Sequence, residues 1–308
     1  MSPILHKGIK LFLVIPIILL ATGIWNLVVP TISRAEKTEV ESILPQKGSP
    51  ILLSSQVRTG HYVLVHLDTM ILELRDGAMT LDTITMVSRG KPGSYYETIA
   101  GSYINDYKEF SHFSSIGHVY MPYSMHIFGN YFIHGIPYYA DGTKVSSTYS
   151  GGCIRLADED AKRVYDFIQR GTPIIITNGN ETDFNPTATT TPTIESLDMT
   201  QLMVATISLE VVTQDNEIFD TDHIATTTRR KLIPRLLGGD KEVAKLYTNA
   251  VGEPAFIDYM NQKATILGLT NTRFTSVTEP VQTTEEDYAR FVHYIDTYKS
   301  YLRKVGSL

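Results

Sequence analysis

Hydrophobic and polar positions follow one pattern up to about residue 178 and another beyond it. Between residues 59 and 178 they alternate in short, β-branched runs, which predict β-strands. Asp158–Gln169 has apolar residues at helical spacing instead. The runs with strand character are His61–Asp68, Met70–Leu74, Leu81–Val87, short pieces through Tyr103, Val119–Tyr120 and Tyr131–Ile133, and finally Pro173–Thr177. This part is therefore predicted to be a mostly β domain with a short helix.

The C-terminal third has the spacing of helices. Residues 179–198 are rich in Thr and Pro and predict a flexible linker, and residues 199–308 are then predicted to form a small, mainly helical domain. Thr283–Glu286 has the pattern of a capping box before the last helix. The helical patterns are Arg229–Tyr247, Glu253–Leu267 and Thr284–Leu302.

The N-terminus carries an export segment. Residues 11–30 are uncharged and follow Lys10, and twenty residues of helix cover about 30 Å, the thickness of a bilayer core. We expect residues 1–30 to be a cytoplasmic tip and transmembrane anchor, and residues 31–58 an extracytoplasmic tether. The alternative is a cleaved signal peptide, because Ser33–Ala35 has small residues where a signal peptidase cuts. The length of the apolar run favours the anchor.

Composition narrows the possible partners. A chain of 308 residues with 43% hydrophobic residues has enough apolar material for two domains. A formal net charge of −6 argues against a nucleic-acid partner, since no net positive field would attract a polyanion. The single cysteine excludes an intrachain disulfide.

That cysteine is the strongest candidate for chemistry. Cys153 lies in Ser150-Gly-Gly-Cys-Ile-Arg155, downstream of His134-Gly135. A thiol with an imidazole base nearby is a potential nucleophile, and flanking glycines allow a tight turn whose amides can bind an oxyanion. The alternative for an isolated cysteine is a small buried apolar side chain. Several neighbouring motifs favour the nucleophile.

These motifs resemble those of the L,D-transpeptidases, the YkuD-like family of bacterial peptidoglycan enzymes. His134 precedes Cys153 by 19 residues, within the spacing of the family's His-Gly and Ser-x-Gly-Cys-x-Arg motifs. The resemblance spans roughly residues 60–178. The segments that carry it are Val87–Gly93, Met121–Met125, Tyr131–Gly135, Ser150–Leu156 and Arg170–Thr177.

The resemblance implies a role for each matched residue. Cys153 would be the nucleophile and His134 its base, with the second ring nitrogen of the histidine held at Gly135. The amides of Gly152 and Cys153 would form the oxyanion hole. The residues implied in substrate binding are Ser150, Arg155 and Tyr123. Two of these have structural alternatives: Arg155 would equally pair with Asp158 or Glu159, and for Tyr123 packing is favoured over substrate binding.

The implied reaction is acyl transfer between peptidoglycan stem peptides. The thiol would attack the bond between the third, diamino residue of a tetrapeptide stem and its terminal D-Ala. A stem amine would then resolve the thioester into a 3→3 crosslink. Water in place of the amine would instead give carboxypeptidase trimming. The chain departs from the family at two places: Gly151 replaces a frequent second histidine, and Tyr96–Tyr103 lacks the usual Pro-rich loop. The lost histidine favours a third alternative, a non-catalytic wall-binding scaffold.

A second resemblance lies in the helical part. Leu232–Ala244 and Phe256–Phe274 resemble the helical region of serine D-alanyl-D-alanine carboxypeptidases, but Gly238 and Asp240 replace the motif's serine and asparagine. This implies a non-catalytic module. The histidines lack a metal-ligand spacing with carboxylates or further thiols, so neither a metal nor a cofactor is predicted. The expected partners are peptidoglycan stem peptides and, through residues 11–30, the cytoplasmic membrane; the oligomeric state stays open.

Overall fold

The computed structural model describes residues 59–178, 193–212 and 226–306. The β-rich part contains two sheets. The first has the strand order β3-β2-β1-β9-β4, with β1 and β9 parallel and the other neighbours antiparallel. Its strands are β1 His61–His66, β2 Ile71–Asp76, β3 Met79–Thr85, β4 Gly101–Ile104 and β9 Pro173–Thr177. Every strand in it overlaps one of the predicted runs, including β4, which contains Tyr103, although the bounds of β2 and β3 differ from the prediction by one or two residues.

The second sheet carries the candidate chemistry. Its order is β5-β6-β7-β8, and β7 and β8 are parallel. Its strands are β5 Lys108–Ser114, β6 Val119–Phe128, β7 Tyr131–His134 and β8 Ile154–Arg155. The parallel pairing sets Ile154 beside Ile133 and Arg155 beside His134, so Cys153, which directly precedes β8, lies next to the strand that carries His134.

A short helix packs behind this edge. Helix α1, Asp158–Phe167, matches the helical pattern in the sequence and buries Ala161 and Val164. Three acidic residues in its first turn interact favourably with the positive end of the helix dipole. The prediction of a mostly β domain with a helix after the cysteine motif is therefore confirmed.

The remaining described residues are largely helical. The helices are α2 Leu197–Ile207, α3 Thr226–Leu237, α4 Lys241–Val251, α5 Glu253–Ile266, α6 Glu285–Tyr298 and α7 Ser300–Gly306. A π-helical turn, Ser208–Val212, extends α2. Strands β10, Thr193–Ser196, and β11, Val281–Thr284, form a two-stranded antiparallel sheet. The helical C-terminal part is as expected, whereas this small sheet was not predicted.

Two predicted helices are each broken in the structure. Arg229–Tyr247 is interrupted after α3, where Gly239 takes a φ of +79° and the Asp240 carboxylate accepts hydrogen bonds from the first amides of α4. Thr284–Leu302 is interrupted at Lys299, between α6 and α7. The cap of α6 also differs, because Thr284 accepts from the Asp287 amide one residue later than the predicted box.

One apolar core extends through the β-rich and helical parts. Residues of both sheets, such as Tyr103 and Ile133, belong to the same buried cluster as Phe256 and Phe291 of the helices. The predicted domain boundaries are not tested by this packing and stay a prediction.

The predicted anchor and tether, together with residues 179–192 of the predicted linker, lie outside the described residues. Among the residues that are described, no helix combines the length and the apolar character needed to cross a bilayer.

Candidate active site

The cysteine lies in a turn that is held by its own serine. The Ser150 hydroxyl donates to the carbonyl of Cys153 (2.5 Å) and accepts from the amide of Gly152 (3.0 Å). The amide of Ser150 donates to the carbonyl of Arg89 at 3.0 Å. Ser150 thus closes the nucleophile turn, defined here as residues 150–153. The predicted contact of Ser150 with substrate stays a prediction. The Gly152 amide already donates to the Ser150 hydroxyl, and its predicted role in the oxyanion hole also stays a prediction.

Only glycine fits at position 152. Gly152 has a φ of +120°, a conformation that L side chains rarely adopt, and an added Cβ would lie 2.4 Å from a ring carbon of Tyr131. Because the ring of Tyr131 is fully buried, its contact with Gly152 sets how closely the turn packs on β7.

A second contact holds the turn from the side. The buried Thr98 hydroxyl donates to the Gly152 carbonyl (2.8 Å) and accepts from the Gly90 amide (2.8 Å). An added Cβ on Gly90 would lie 2.0 Å from the Tyr96 carbonyl oxygen. The loop that carries Thr98 is therefore locked to the nucleophile turn.

His134 has one fixed tautomer. Its Nδ1 donates to the Gly135 carbonyl at 2.6 Å, as the resemblance implied, which leaves Nε2 as the nitrogen that can accept a proton. The ring is 1% exposed. Burial lowers its pKa from 6.5 to about 4, because a charged imidazolium would lose its solvation; the Gly135 hydrogen bond opposes this shift.

The thiol of Cys153 is likewise held in its neutral form. Burial raises the pKa of the thiol above its ordinary value of 9.0, although the Phe132 amide and the positive charge of Arg155 partly oppose this. The Sγ atom contacts the carbonyl oxygen of Asn130 at 3.7 Å. At rest the thiol of Cys153 and the imidazole of His134 are therefore both neutral, rather than a thiolate and an imidazolium.

Gly135 is needed for its small size. An added Cβ would lie 2.7 Å from Oδ1 of Asp158 and 2.9 Å from the ring of Pro122. The Gly135 amide donates to the Pro122 carbonyl (2.8 Å), and Asp158 accepts from the Ile136 amide (2.8 Å). The carbonyl that orients His134 is thus itself fixed on both sides.

Two half-buried guanidinium groups flank the turn. Arg155 donates from Nη1 to the hydroxyl of Ser147 (2.9 Å), and burial lowers its pKa. Asp158, one of its two alternative partners, forms an ion pair with Lys144. Burial also lowers the pKa of Arg89, against the opposing charge of Glu97. The binding of a substrate carboxylate by Arg155 remains a prediction.

Tyr123 lies in an aromatic contact beside the β6 strand. Its ring meets Phe110 (centroids 5.0 Å apart) and Tyr165 of α1 (5.8 Å). Its backbone has a φ of +52°, which is unusual for a bulky residue. These contacts fit the packing alternative; its role in the substrate cleft is not tested by them.

Sequence reasoning missed three residues that hold the nucleophile turn: Thr98, Asn130 and Tyr131. Thr98 and Tyr131 lie in segments already singled out, but single threonines and tyrosines carry no pattern that indicates such contacts. Among the described residues, no group of three or more His, Cys, Asp or Glu side chains is placed to hold a metal ion.

The comparisons with known proteins assign a family to the β-rich part. Residues 60–176 match the family model of YkuD, the L,D-transpeptidase catalytic domain. The chain therefore contains a YkuD-type L,D-transpeptidase catalytic domain, whose mostly β fold has two sheets. No curated protein matches the chain.

Solved structures overlap the chain in part. A fused Zn-dependent amidase/peptidase/peptidoglycan-binding domain-containing protein from Clostridium acetobutylicum is 26% identical, with 39% of this chain and 52% of that one covered and a TM-score of 0.33. An L,D-transpeptidase from Stackebrandtia nassauensis is 20% identical (41% and 58% covered, TM-score 0.34). One from Mycobacterium smegmatis is 21% identical (38% and 58%, 0.32). The chain thus spans little more than half the length of these structures.

Proposed function

We propose that this protein is an L,D-transpeptidase that acts on peptidoglycan stem peptides through a thioester on Cys153. The observation that carries the proposal is the Nδ1 hydrogen bond from His134 to Gly135, at 2.6 Å, on the strand beside the cysteine turn. It leaves Nε2 of the ring as a base within a domain matched to the L,D-transpeptidases.

The first half-reaction forms the acyl-enzyme. As Sγ of Cys153 attacks the carbonyl between the diamino residue and D-Ala, its proton passes to Nε2 of His134. The backbone amides of the turn stabilise the oxyanion that develops. The C–N bond then breaks, and the amine of D-Ala leaves with the proton that the imidazolium returns.

The second half-reaction restores the enzyme. The side-chain amine of another stem attacks the thioester and loses a proton to His134. The C–S bond breaks, the new amide forms the 3→3 crosslink, and the thiolate regains its proton. Water in place of the amine gives a free carboxylate, which is the carboxypeptidase alternative.

The protonation states suit this order of events. A pKa of about 4 keeps His134 unprotonated at neutral pH, so the base is ready before the substrate arrives. The raised pKa of Cys153 keeps the thiol neutral, so the site does not bury a charged thiolate before substrate binds. Proton transfer and attack then occur together on the bound substrate.

Replacing Cys153 with Ala tests the nucleophile. Incubated with imipenem, the wild-type protein should gain the mass of one ring-opened carbapenem, and Cys153→Ala should gain none. Glu279→Gln, at an exposed position of the helical part, is the control and should label like the wild type. Equal labelling of Cys153→Ala would refute the assignment.

Digested sacculi distinguish the possible outcomes of the reaction. Incubation with the wild-type protein should yield 3→3 dimers that Cys153→Ala does not produce. Shortened stems without dimers would indicate carboxypeptidase trimming. Binding of sacculi by both proteins without turnover would indicate the wall-binding scaffold.

The family match also supports action in the cell envelope. We also propose that the active site is extracytoplasmic and tethered through residues 11–30. That segment lies outside the described residues. The resemblance of residues 199–308 to a carboxypeptidase helical region also stays a prediction.

A further inference from the structure

A cluster of buried charges joins the helical part to the β-rich part. The carboxylate of Glu210, in the π-helical turn, forms ion pairs with Lys263 of α5 (3.0 Å) and with Lys299 (3.3 Å). All three side chains are at most 4% exposed. We call these residues the buried ion cluster. Two cations share one anion, so removing either lysine leaves a balanced ion pair.

The two lysines face different surroundings. The Lys263 ammonium donates to the hydroxyl of Tyr103 (2.9 Å) and lies 4.8 Å from the ring centroid of Tyr294. The Lys299 ammonium lies 5.9 Å from the ring centroid of Tyr131. Of the two lysines, Lys299 is thus the one that approaches Tyr131, the residue beneath the nucleophile turn.

Tyr131 transmits its position directly to that turn. Its ring occupies the space where a side chain at Gly152 would be, since an added Cβ would lie only 2.4 Å from it. A cation held near the ring face by Glu210 favours one ring position. Any shift of the ring would move the backbone that precedes Cys153.

Lys299 also acts on the loop that holds the turn from the side. Its charge favours the ionised form of Glu97, whose pKa burial raises. The Glu97 carboxylate accepts from the Gly93 amide (2.9 Å), and the next residue, Thr98, donates to the Gly152 carbonyl. Tyr131 and this loop are two of the supports of the turn; Lys299 lies near the ring of the first and acts by its charge on Glu97 of the second.

We infer that Lys299 is a positioning residue for the nucleophile turn, acting through Tyr131 and the Glu97–Thr98 loop. This inference rests on the proposed function of Cys153. It assigns the end of α6, in the helical part, a role in acyl transfer. Lys299 acts through other residues rather than on the substrate or the sulfur. It sets where the amides of the nucleophile turn lie relative to the thiol, and acylation requires those amides to be in place.

The test compares Lys299→Met with Lys263→Met. Each variant removes one buried ammonium group and leaves one lysine paired with Glu210, so the charge change is matched; Lys263→Met also removes the hydrogen bond to Tyr103, so its folding cost should be the larger. Two reactions of Cys153 are followed at a temperature well below both unfolding transitions. Acylation by imipenem develops an oxyanion and needs the turn's amides, whereas alkylation by iodoacetamide needs only a reachable thiol.

We expect Lys299→Met to slow acylation about tenfold, since small displacements of reacting groups are costly, while alkylation stays within about twofold of wild type. Lys263→Met should keep both rates within about twofold. Equal losses of acylation in the two variants, or none in Lys299→Met, would overturn the inference. So would parallel changes of both reactions in Lys299→Met, which would indicate general loosening.

The wild-type protein separates this inference from the proposed function. If the wild type is not acylated, the proposed function fails and the positioning role fails with it. If the wild type is acylated and Lys299→Met matches it, the positioning role alone fails. A further variant, Lys299→Arg, keeps a cation near Tyr131 and should recover at least half of the lost acylation rate.

Discussion

Two buried polar sites in this protein handle charge in opposite ways. At the candidate active site, burial lowers the pKa of His134 to about 4 and raises that of Cys153, so both groups are neutral at rest. In the buried ion cluster, burial alone would raise the pKa of Glu210, but Lys263 and Lys299 outweigh it and keep the carboxylate ionised.

The difference comes from the partners within reach. Glu210 has two ammonium groups within 3.3 Å and a hydroxyl from Tyr294 at 2.9 Å. His134 has a neutral carbonyl on one nitrogen, and Arg155 and His112 disfavour its charge further. A site whose charges neutralise one another holds structure together, whereas a site that lacks such partners can create charge when substrate arrives.

The largest expected effect follows from breaking the cluster at its anion. Glu210→Gln leaves two buried ammonium groups without a carboxylate, and the free energy of unfolding should fall by about 3–5 kcal/mol. Urea denaturation followed by circular dichroism measures this change. Glu279→Gln removes an exposed ion pair and should change it by less than about 1 kcal/mol. If Glu210→Gln also lowered the free energy of unfolding by less than about 1 kcal/mol, the account of the buried ion cluster would be contradicted.

The next effect concerns the neutral site. The folded-state pKa of His134, about 4, is lower than its ordinary 6.5, so between these values the unfolded chain binds more protons. Stability from the neutral ring is complete above pH 6.5 and is lost as the pH falls to about 4, by of order 3 kcal/mol.

The measurement is the difference in unfolding free energy between wild type and His134→Asn across this pH range. Other titrating groups are shared by the two proteins and cancel. The difference should favour wild type progressively more as the pH rises from 4 to 6.5. A constant difference would mean that His134 is not buried in its neutral form.

The smallest effect concerns the link between the two sites. Thr98→Val leaves the Gly90 amide and the Gly152 carbonyl without their buried partner, which should cost about 2 kcal/mol of stability and slow acylation. Thr206→Val is the matched control, because this buried hydroxyl only adds a bond to the Leu202 carbonyl within α2. Thermal unfolding of the two variants should separate them, and equal losses would argue against the link.

Sequence reasoning predicted the strands and the candidate site, because both leave a signal in the local order of residues. Pro173–Thr177 is a strand with the predicted bounds, and the alternation in His61–Asp68 predicted β1. The order of His134, Gly135 and Cys153 predicted a catalytic set, which stays a prediction, although the hydrogen bond from His134 to Gly135 that it requires is present. Sequence reasoning failed where one apolar pattern continues across a break between two helices. Asp240 marks such a break, because its carboxylate caps the start of α4 within the single predicted helix Arg229–Tyr247.

The sequence alone predicted which residues would carry chemistry, because a lone thiol in a glycine-rich motif and an upstream His-Gly are recognisable without neighbours in space. Only the tertiary structure decided what supports them. Tyr131 lies beneath Gly152, Thr98 binds its carbonyl, and Lys299 approaches Tyr131 from a helix far along the chain. Such contacts depend on how separate elements pack, and neither composition nor periodicity contains that information.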